Sequence, residues 1–231
     1  MVPSSDTPRW TRHIFYRSLH TRTTWKFRIG LAALVLFMGW LTRGWWSVAI
    51  AESLVCNANV APSDAILVEN FDPDYRLFER AAELRRAGLA PRVLVPVAAG
   101  QAAGDTNHVG LAQAEVMAKF ARLDTMDTVP IREVEPISLN AAGDVLRYLN
   151  QEGIRSVIVV SPLFRSQRSA LVYGATLGEA GITVRCEPVR AGRQVEYWTQ
   201  SWHGIQDVLE QWTKLQYYKL YVLRFRLRSP S

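Results

Sequence analysis

Short apolar runs recur along the chain, separated by segments with helix-like spacing. The runs are rich in β-branched residues and lie at 65–68, 91–96, 129–134, 157–160 and 182–186. Continuous apolar runs of this length are typical of strands that are buried on both faces of a parallel sheet. The sequence therefore predicts about five such strands.

Between these runs, apolar residues recur at intervals of three and four, as on one face of a helix. The helical segments are 77–88, 111–122, 138–149, 166–180 and 206–223. Strand and helix alternate, which predicts an α/β domain over residues 52–223. We expect a doubly wound, mostly parallel, Rossmann-like sheet with helices on both faces.

A longer apolar segment precedes this domain. Residues 29–42 are uncharged and mostly apolar, and extension to residue 51 adds two tryptophans and Arg43. An arginine near a helix end reaches the headgroup layer, so we predict a transmembrane anchor over 29–51. The alternative is a cleaved signal peptide, because Ala49-Ile50-Ala51 has the small residues of a cleavage site.

Charge is segregated along the 231 residues. The formal net charge is +6, yet residues 44–213 hold 15 Lys and Arg against 20 Asp and Glu. The positive excess lies in residues 1–28 and from Lys214 onwards, ending in a basic tail at 224–231. This distribution argues against nucleic acid and for membrane lipid as a partner.

The positive flank also predicts the orientation of the anchor. Basic residues favour the cytoplasmic side, so residues 1–28 are predicted to be a cytoplasmic segment. The chain would then cross the inner membrane once, and its C-terminal domain would lie outside the cytoplasm.

The last predicted helix is rich in aromatic residues and runs into the basic tail. One interpretation is a helix that packs on the sheet, followed by a solvated tail. The other is that its aromatic and basic end touches anionic lipid headgroups.

The loop after the fourth predicted strand contains Ser161, Arg165 and Arg168. Ligands of open α/β sheets bind at the carboxyl ends of strands. Two arginines three residues apart share a helix face and can clamp a phosphate. The sequence therefore predicts a site for an anionic group, with a solvated helix turn or pairing with a carboxylate as the alternative.

Acidic residues supply further candidates. Glu69 and Asp72 follow the first strand, where they either hold a cation together or pair with Arg165. Glu115 is either a base or metal ligand, or part of a surface ion pair. No metal site is assigned, because the histidines and cysteines lack ligand spacing.

Asn140 and Arg76 either line the pocket or serve as cap and helix-face residues. The sequence contains no Gly-x-Ser-x-Gly, P-loop or His-Glu-x-x-His motif, so the common hydrolases and NTPases lack support.

Cys56 and Cys186 either form a disulfide, as export would permit, or are two separate thiols.

Several residues and short motifs stand in a characteristic order over residues 54–222: Ser63 to Val68, Arg76, Ala81, Leu84, Gly88, Ala90-Pro91, Glu115, Met117, Glu135, Ser138, Asn140, Ser161-Pro162, Arg168-Ser169-Ala170, Glu210, Lys214, Leu215, Tyr217 and Tyr218. This order resembles that of the ElyC/SanA/YdcF family of bacterial envelope proteins. The resemblance implies a role in cell-envelope biogenesis. Its expected ligand is an anionic envelope precursor, such as a lipid-linked sugar phosphate.

The family's motifs are degenerate in this chain. Glu69-Asn70 stands in place of a Gly-Gly turn, and Asn140 is what is left of an Asn-Thr-x-Glu-Asn motif. Phe164-Arg165 falls where a histidine is expected, which removes the best general acid or base. These departures favour a non-catalytic, partner-binding or scaffolding relative as the alternative function. Nucleotide or S-adenosylmethionine binding is a weaker alternative, based on the Rossmann-like order of elements.

Overall fold

The structure, a computed structural model, describes residues 24–71, 74–99 and 107–226. The chain divides into two compact units, Met1–Arg43 and Gly44–Ser231. The first contains helix α1 (Trp25–Leu41), which buries none of its side chains. None of the described helices is by itself long and apolar enough to cross a bilayer, whereas α1 and helix α2 (Arg43–Glu52) meet that criterion together.

The second unit is built on a five-stranded parallel sheet. Its strands are β1 (Ala65–Val68), β2 (Arg92–Ala98), β3 (Asp127–Ile131), β4 (Ser156–Pro162) and β5 (Thr183–Val189), in the spatial order β3-β2-β1-β4-β5. The central strand β1 pairs Leu67 with Leu94 on one side and Val159 on the other. All four β1 side chains are buried, as expected for an apolar strand covered on both faces. The predicted parallel, Rossmann-like sheet is confirmed.

Helices cover both faces of the sheet. Helices α3 (Tyr75–Arg86) and α4 (His108–Phe120) enclose the core that contains Ile66 and Val160. Helices α5 (Ile137–Gln151) and α6 (Ser166–Leu177) enclose the core that contains Leu67 and Val159. Successive strand residues thus point to opposite cores, which follows from the two-residue period of a strand.

A third core lies beyond the carboxyl end of β4, under helix α7 (Trp202–Tyr217). α7 continues through a π-helical turn, Tyr218–Val222, into α8 (Leu223–Arg226). The buried members of this core are Ala51, Leu54, Leu163, Phe164, Trp198, Val208 and Leu215. Trp198 Nε1 also donates to the Ser47 carbonyl at 2.9 Å. Residues of α2 are therefore part of the folded unit.

This packing moves the boundary expected from the sequence. The sequence predicts one anchor helix over residues 29–51, but the chain forms two helices separated at Thr42. Ser47 and Ala51 are buried in the second unit. The compact unit accordingly begins at Gly44 rather than after residue 51.

The bounds of β3 and α7 differ from expectation for local reasons. β3 ends at Ile131, because the next N–H, of Arg132, donates to the Asp144 carboxylate at 2.7 Å instead of to a strand. α7 begins earlier than residue 206, because the Ser201 hydroxyl accepts from Gly204 N at 3.0 Å and caps the helix.

Cys56 and Cys186 form a disulfide, so the alternative of two separate thiols is wrong. The bond ties the segment after α2 to β5. Nearby, Cys56 N donates to Ser166 Oγ and Gln167 N donates to the Leu54 carbonyl, both at 3.0 Å. The segment is thereby fixed to the start of α6.

Candidate functional site

The direction in which strands are added to the sheet reverses between β1 and β4. Ligands of open α/β sheets bind at the carboxyl ends of the strands at such a switch point. Here Glu69 follows β1, Ser161 lies near the end of β4, and the 3-10 turn Leu163–Arg165 leads into α6. Four of the residues predicted from the sequence, Glu69, Ser161, Arg165 and Arg168, are thus brought to this edge.

Glu69 and Arg165 form a buried ion pair. Glu69 is 2% exposed, and its Oε2 lies 3.6 Å from Arg165 Nε. The same oxygen accepts from the Ser169 hydroxyl at 2.5 Å. The guanidinium of Arg165 also lies over the ring of Phe71, 4.5 Å from its centroid. The structure therefore shows Glu69 paired with Arg165, which is the second of the two roles predicted for it beside cation binding.

Arg168 is a buried cation with a different environment. Arg168 is 5% exposed, and one of its terminal nitrogens donates to Gln211 Oε1 at 3.1 Å. Its guanidinium carbon lies 5.7 Å from the centre of the Tyr218 ring. Among the described residues, no carboxylate oxygen lies within 4.0 Å of a guanidinium nitrogen of Arg168. The buried Nε of Arg168 has no hydrogen-bond partner among them. Burial lowers the pKa of Arg168, and the charge of Arg165 lowers that pKa further.

Two hydroxyl groups near this edge are also buried without a hydrogen-bond partner among the described residues. They belong to Ser161 and Tyr173. Burial raises the pKa of the Tyr173 phenol, and the charge of Glu69 adds to that rise. Buried polar groups normally have partners, so these two hydroxyls are exceptions within the packed interior beside this edge.

An open cleft of about 490 Å³ lies over this cluster. It is lined by Asp74, Pro162, Phe164, Arg165, Arg193, His203, Gln206, Asp207, Glu210 and Gln211. Gln211 connects the cleft to the cluster below, because its Oε1 accepts from Arg168.

The contribution of α7 to this cleft was missed in the sequence. His203, Gln206, Asp207, Glu210 and Gln211 are spaced as neighbours on one helix face, a polar stripe that the sequence displays. Arg193, from the segment after β5, pairs with Asp207 at 2.8 Å and was also missed. In the sequence alone His203 is an isolated histidine, and only the fold brings it to the cleft.

The charges on the walls of the cleft are mixed. Arg165 and Arg193 provide guanidinium groups, and Asp74, Asp207 and Glu210 provide carboxylates. Each carboxylate also has a protein partner: Arg193 for Asp207, Lys214 for Glu210 and the Arg76 N–H for Asp74. Such a set does not match a polyanion. It matches a ligand with one anionic group for arginine and hydroxyl groups for the carboxylates.

The other predicted site residues lie elsewhere. Glu115 is exposed on α4, Asn140 donates to the Val134 carbonyl at 2.9 Å, and Arg76 lies beside Tyr75. None of the three lines the cleft among the described residues. Asp72 lies outside the described residues.

Asp144 is a buried carboxylate that the sequence did not single out. It is 3% exposed and accepts from the backbone and side chain of Arg132 and from the side chain of Arg147. Burial opposes its ionisation, but the hydrogen bonds and charges of the two arginines outweigh burial and lower the pKa of Asp144. This network fixes the carboxyl end of β3 to α5.

Fold and site together define an α/β protein with a Rossmann-like parallel sheet and a polar, mixed-charge cleft at its switch point. Comparisons with protein-family models, curated proteins and solved structures find no match to this chain.

Proposed function

We propose that this protein is a membrane-anchored, extracytoplasmic α/β domain that acts in cell-envelope biogenesis by binding an anionic ligand in the switch-point cleft. A lipid-linked sugar phosphate has the appropriate chemistry. The observation that carries the proposal is Arg168, a cation 5% exposed with no ion-pairing carboxylate among the described residues.

A buried cation with no carboxylate in ion-pair contact is unfavourable, even where more distant acidic groups offset part of the desolvation. An anion that displaces the side chain of Gln211 would reach Arg168 and also contact Arg165, which lines the cleft. The buried Nε of Arg168 would then gain an acceptor. The binding energy of the anion would come largely from this compensation.

The walls of the cleft support a sugar as the remainder of the ligand. Carboxylates of Asp74, Asp207 and Glu210 can accept hydrogen bonds from hydroxyl groups. A nucleotide is less well supported, because the buried side chain of Glu69 occupies the turn where backbone N–H groups would meet a phosphate.

The buried side chain of Glu69 also favours a second candidate function. In this candidate the protein is a non-catalytic relative that binds a protein partner in the envelope. Glu69 and Arg165 already neutralise each other across the switch point. In this candidate the buried polar cluster stabilises the fold, and the cleft takes no small anion.

Two observations support the membrane and export parts of the proposal. Helix α1 is predominantly apolar, all of its side chains lie outside any core, and its 17 residues span about 26 Å at ~1.5 Å per residue. Trp45 and Trp46, which follow α1 in the chain, are both exposed, and tryptophan favours the headgroup layer. A disulfide is typical of proteins outside the reducing cytoplasm.

The test is a thermal-shift titration of the detergent-solubilised full chain with a hexose 1-phosphate, inorganic phosphate and the unphosphorylated hexose. We expect the Tm to rise with the hexose phosphate in the wild type and not in Arg168→Gln. Arg155→Gln is the matched control, because Arg155 is exposed at the opposite end of β4. Absence of any phosphate response in the wild type, or an equal response in Arg168→Gln, would contradict anion binding and favour the second candidate.

A further inference from the structure

Helix α7 has three distinct faces. One is buried in the protein and includes Val208 and Leu215, and a second forms the polar wall of the cleft. The third face carries large apolar side chains, yet it is exposed. Such a face on a folded domain marks an interaction surface.

We call this third face the aromatic stripe. It consists of Trp202, Leu209, Trp212 and Leu220, which are 73%, 54%, 43% and 65% exposed. Their spacing of seven, three and eight residues keeps them on one side of the helix through the π-helical turn. Tyr217 and Tyr221, stacked with ring centroids 5.6 Å apart, extend the exposed aromatic surface beside it.

The charge around the aromatic stripe identifies its partner. Residues 44–213 are acidic overall, with 15 basic against 20 acidic residues, whereas residues 214–231 contain five basic residues and no acid. Lys219 and Arg224 are exposed at this end of the helix. An anionic surface would therefore attract mainly the C-terminal end of the aromatic stripe, near Leu220, and the apolar residues Trp202, Leu209 and Trp212 would add contact area along α7.

Tryptophan, tyrosine and leucine flanked by lysine and arginine are the composition of helices that lie in the headgroup layer of a bilayer. Anionic lipid accounts for both the exposed apolar residues and the positive flank of the aromatic stripe. We propose that the aromatic stripe docks the folded unit on the surface of a bilayer that contains anionic lipid. This contact is additional to the α1 anchor and does not depend on it.

Docking would place the cleft beside the headgroup layer, since α7 forms both the aromatic stripe and one wall of the cleft. This consequence, which rests on the proposed function, identifies a lipid-linked ligand: its headgroup would enter the cleft while its chain stays in the bilayer.

The experiment uses the full chain with a fluorescent label on a cysteine introduced at Leu209 or Leu220. The matched control is the same label at Phe120, which is 76% exposed at the end of α4. Each protein is mixed with brominated-lipid vesicles of phosphatidylcholine, with and without phosphatidylglycerol. We expect brominated lipid to quench the labels at 209 and 220 several times more strongly than the label at 120, and phosphatidylglycerol to increase this difference.

Equal quenching at all three positions would overturn the proposal. Protection of the 209 and 220 labels from an aqueous quencher without quenching by brominated lipid would also overturn it, because a second copy or another protein would then cover the aromatic stripe. Neither result bears on the anion site. Conversely, a null thermal shift with sugar phosphates leaves the docking result intact.

Discussion

At the scale of single residues, Asp144 shows how this protein keeps a buried carboxylate ionised. Its side chain is nearly inaccessible, whereas those of Arg132 and Arg147 are each 61% exposed. The arginines therefore retain much of their hydration while they donate to the carboxylate. This arrangement avoids most of the desolvation that a fully buried ion pair would require.

Asp144 should make the stability of the protein depend on pH in acid. Its folded pKa lies below the ordinary value of 3.8, so its contribution is present above that value and is lost as the pH falls through the folded pKa. Asp144→Asn should lower the free energy of unfolding at neutral pH by about 1.5–3 kcal/mol. It should also remove part of the acid dependence of stability that we expect for the wild type below about pH 4.

Urea unfolding between about pH 6 and about pH 3 measures both effects. Glu115→Gln, an exposed position on α4, is the control and should follow the wild-type curve. Parallel curves for wild type and Asp144→Asn across this range would contradict the assignment.

At the scale of elements, the position of α7 depends on Gly204. A Cβ atom at this position would overlap the Trp198 carbonyl oxygen and would lie 3.0 Å from Ser201 Oγ. The close approach lets the first turn of α7 pack on the Trp198 turn, which holds the wall of the cleft in place.

Gly204→Ala should destabilise the protein by about 1–3 kcal/mol, because the backbone of the Trp198 turn must move. Gly174→Ala is the matched control: Gly174 lies inside α6, and no atom of another described element lies within 4 Å of the place that an alanine methyl would occupy. There alanine should stabilise the helix by about 0.5–1 kcal/mol. Urea unfolding of both variants measures the opposite signs, and stabilisation by both substitutions would refute the close-packing role of Gly204.

The elements also show what the sequence can predict. The β-branched runs at β1 and β4 and the alternation with helices were sufficient for the parallel sheet, because burial on both faces leaves a local signature. The same pattern located Arg165 and Arg168 at a strand end. It did not reveal that Gln211 and Asp207 would face that edge, since their position depends on long-range packing of α7 over the turn Leu163–Arg165. The carboxyl end of β3 was misplaced for a similar reason, because Asp144 takes the N–H of Arg132.

At the scale of the whole molecule, the packing of α2 bears on the choice between anchor and signal peptide. Cleavage after Ala51 would remove a buried residue of the third core and the Ser47 carbonyl that accepts from Trp198 Nε1. The buried indole N–H of Trp198 would then lose its acceptor. Retention of the segment is the alternative that keeps this core intact, which favours an uncleaved anchor.

We therefore expect the full-length, C-terminally tagged protein to stay in the membrane fraction after carbonate extraction, at its full mass. Aspartates at Leu34 and Phe37, near the middle of α1, should release it, because a charge at the centre of a spanning helix is unfavourable by about 2.5–3.5 kcal/mol. Phe120→Asp places the same charge on an exposed position of α4 and should leave the protein in the membrane. Release of the wild type at a reduced mass would show a cleaved signal peptide, and release at full mass would show a peripheral protein held at most by the aromatic stripe.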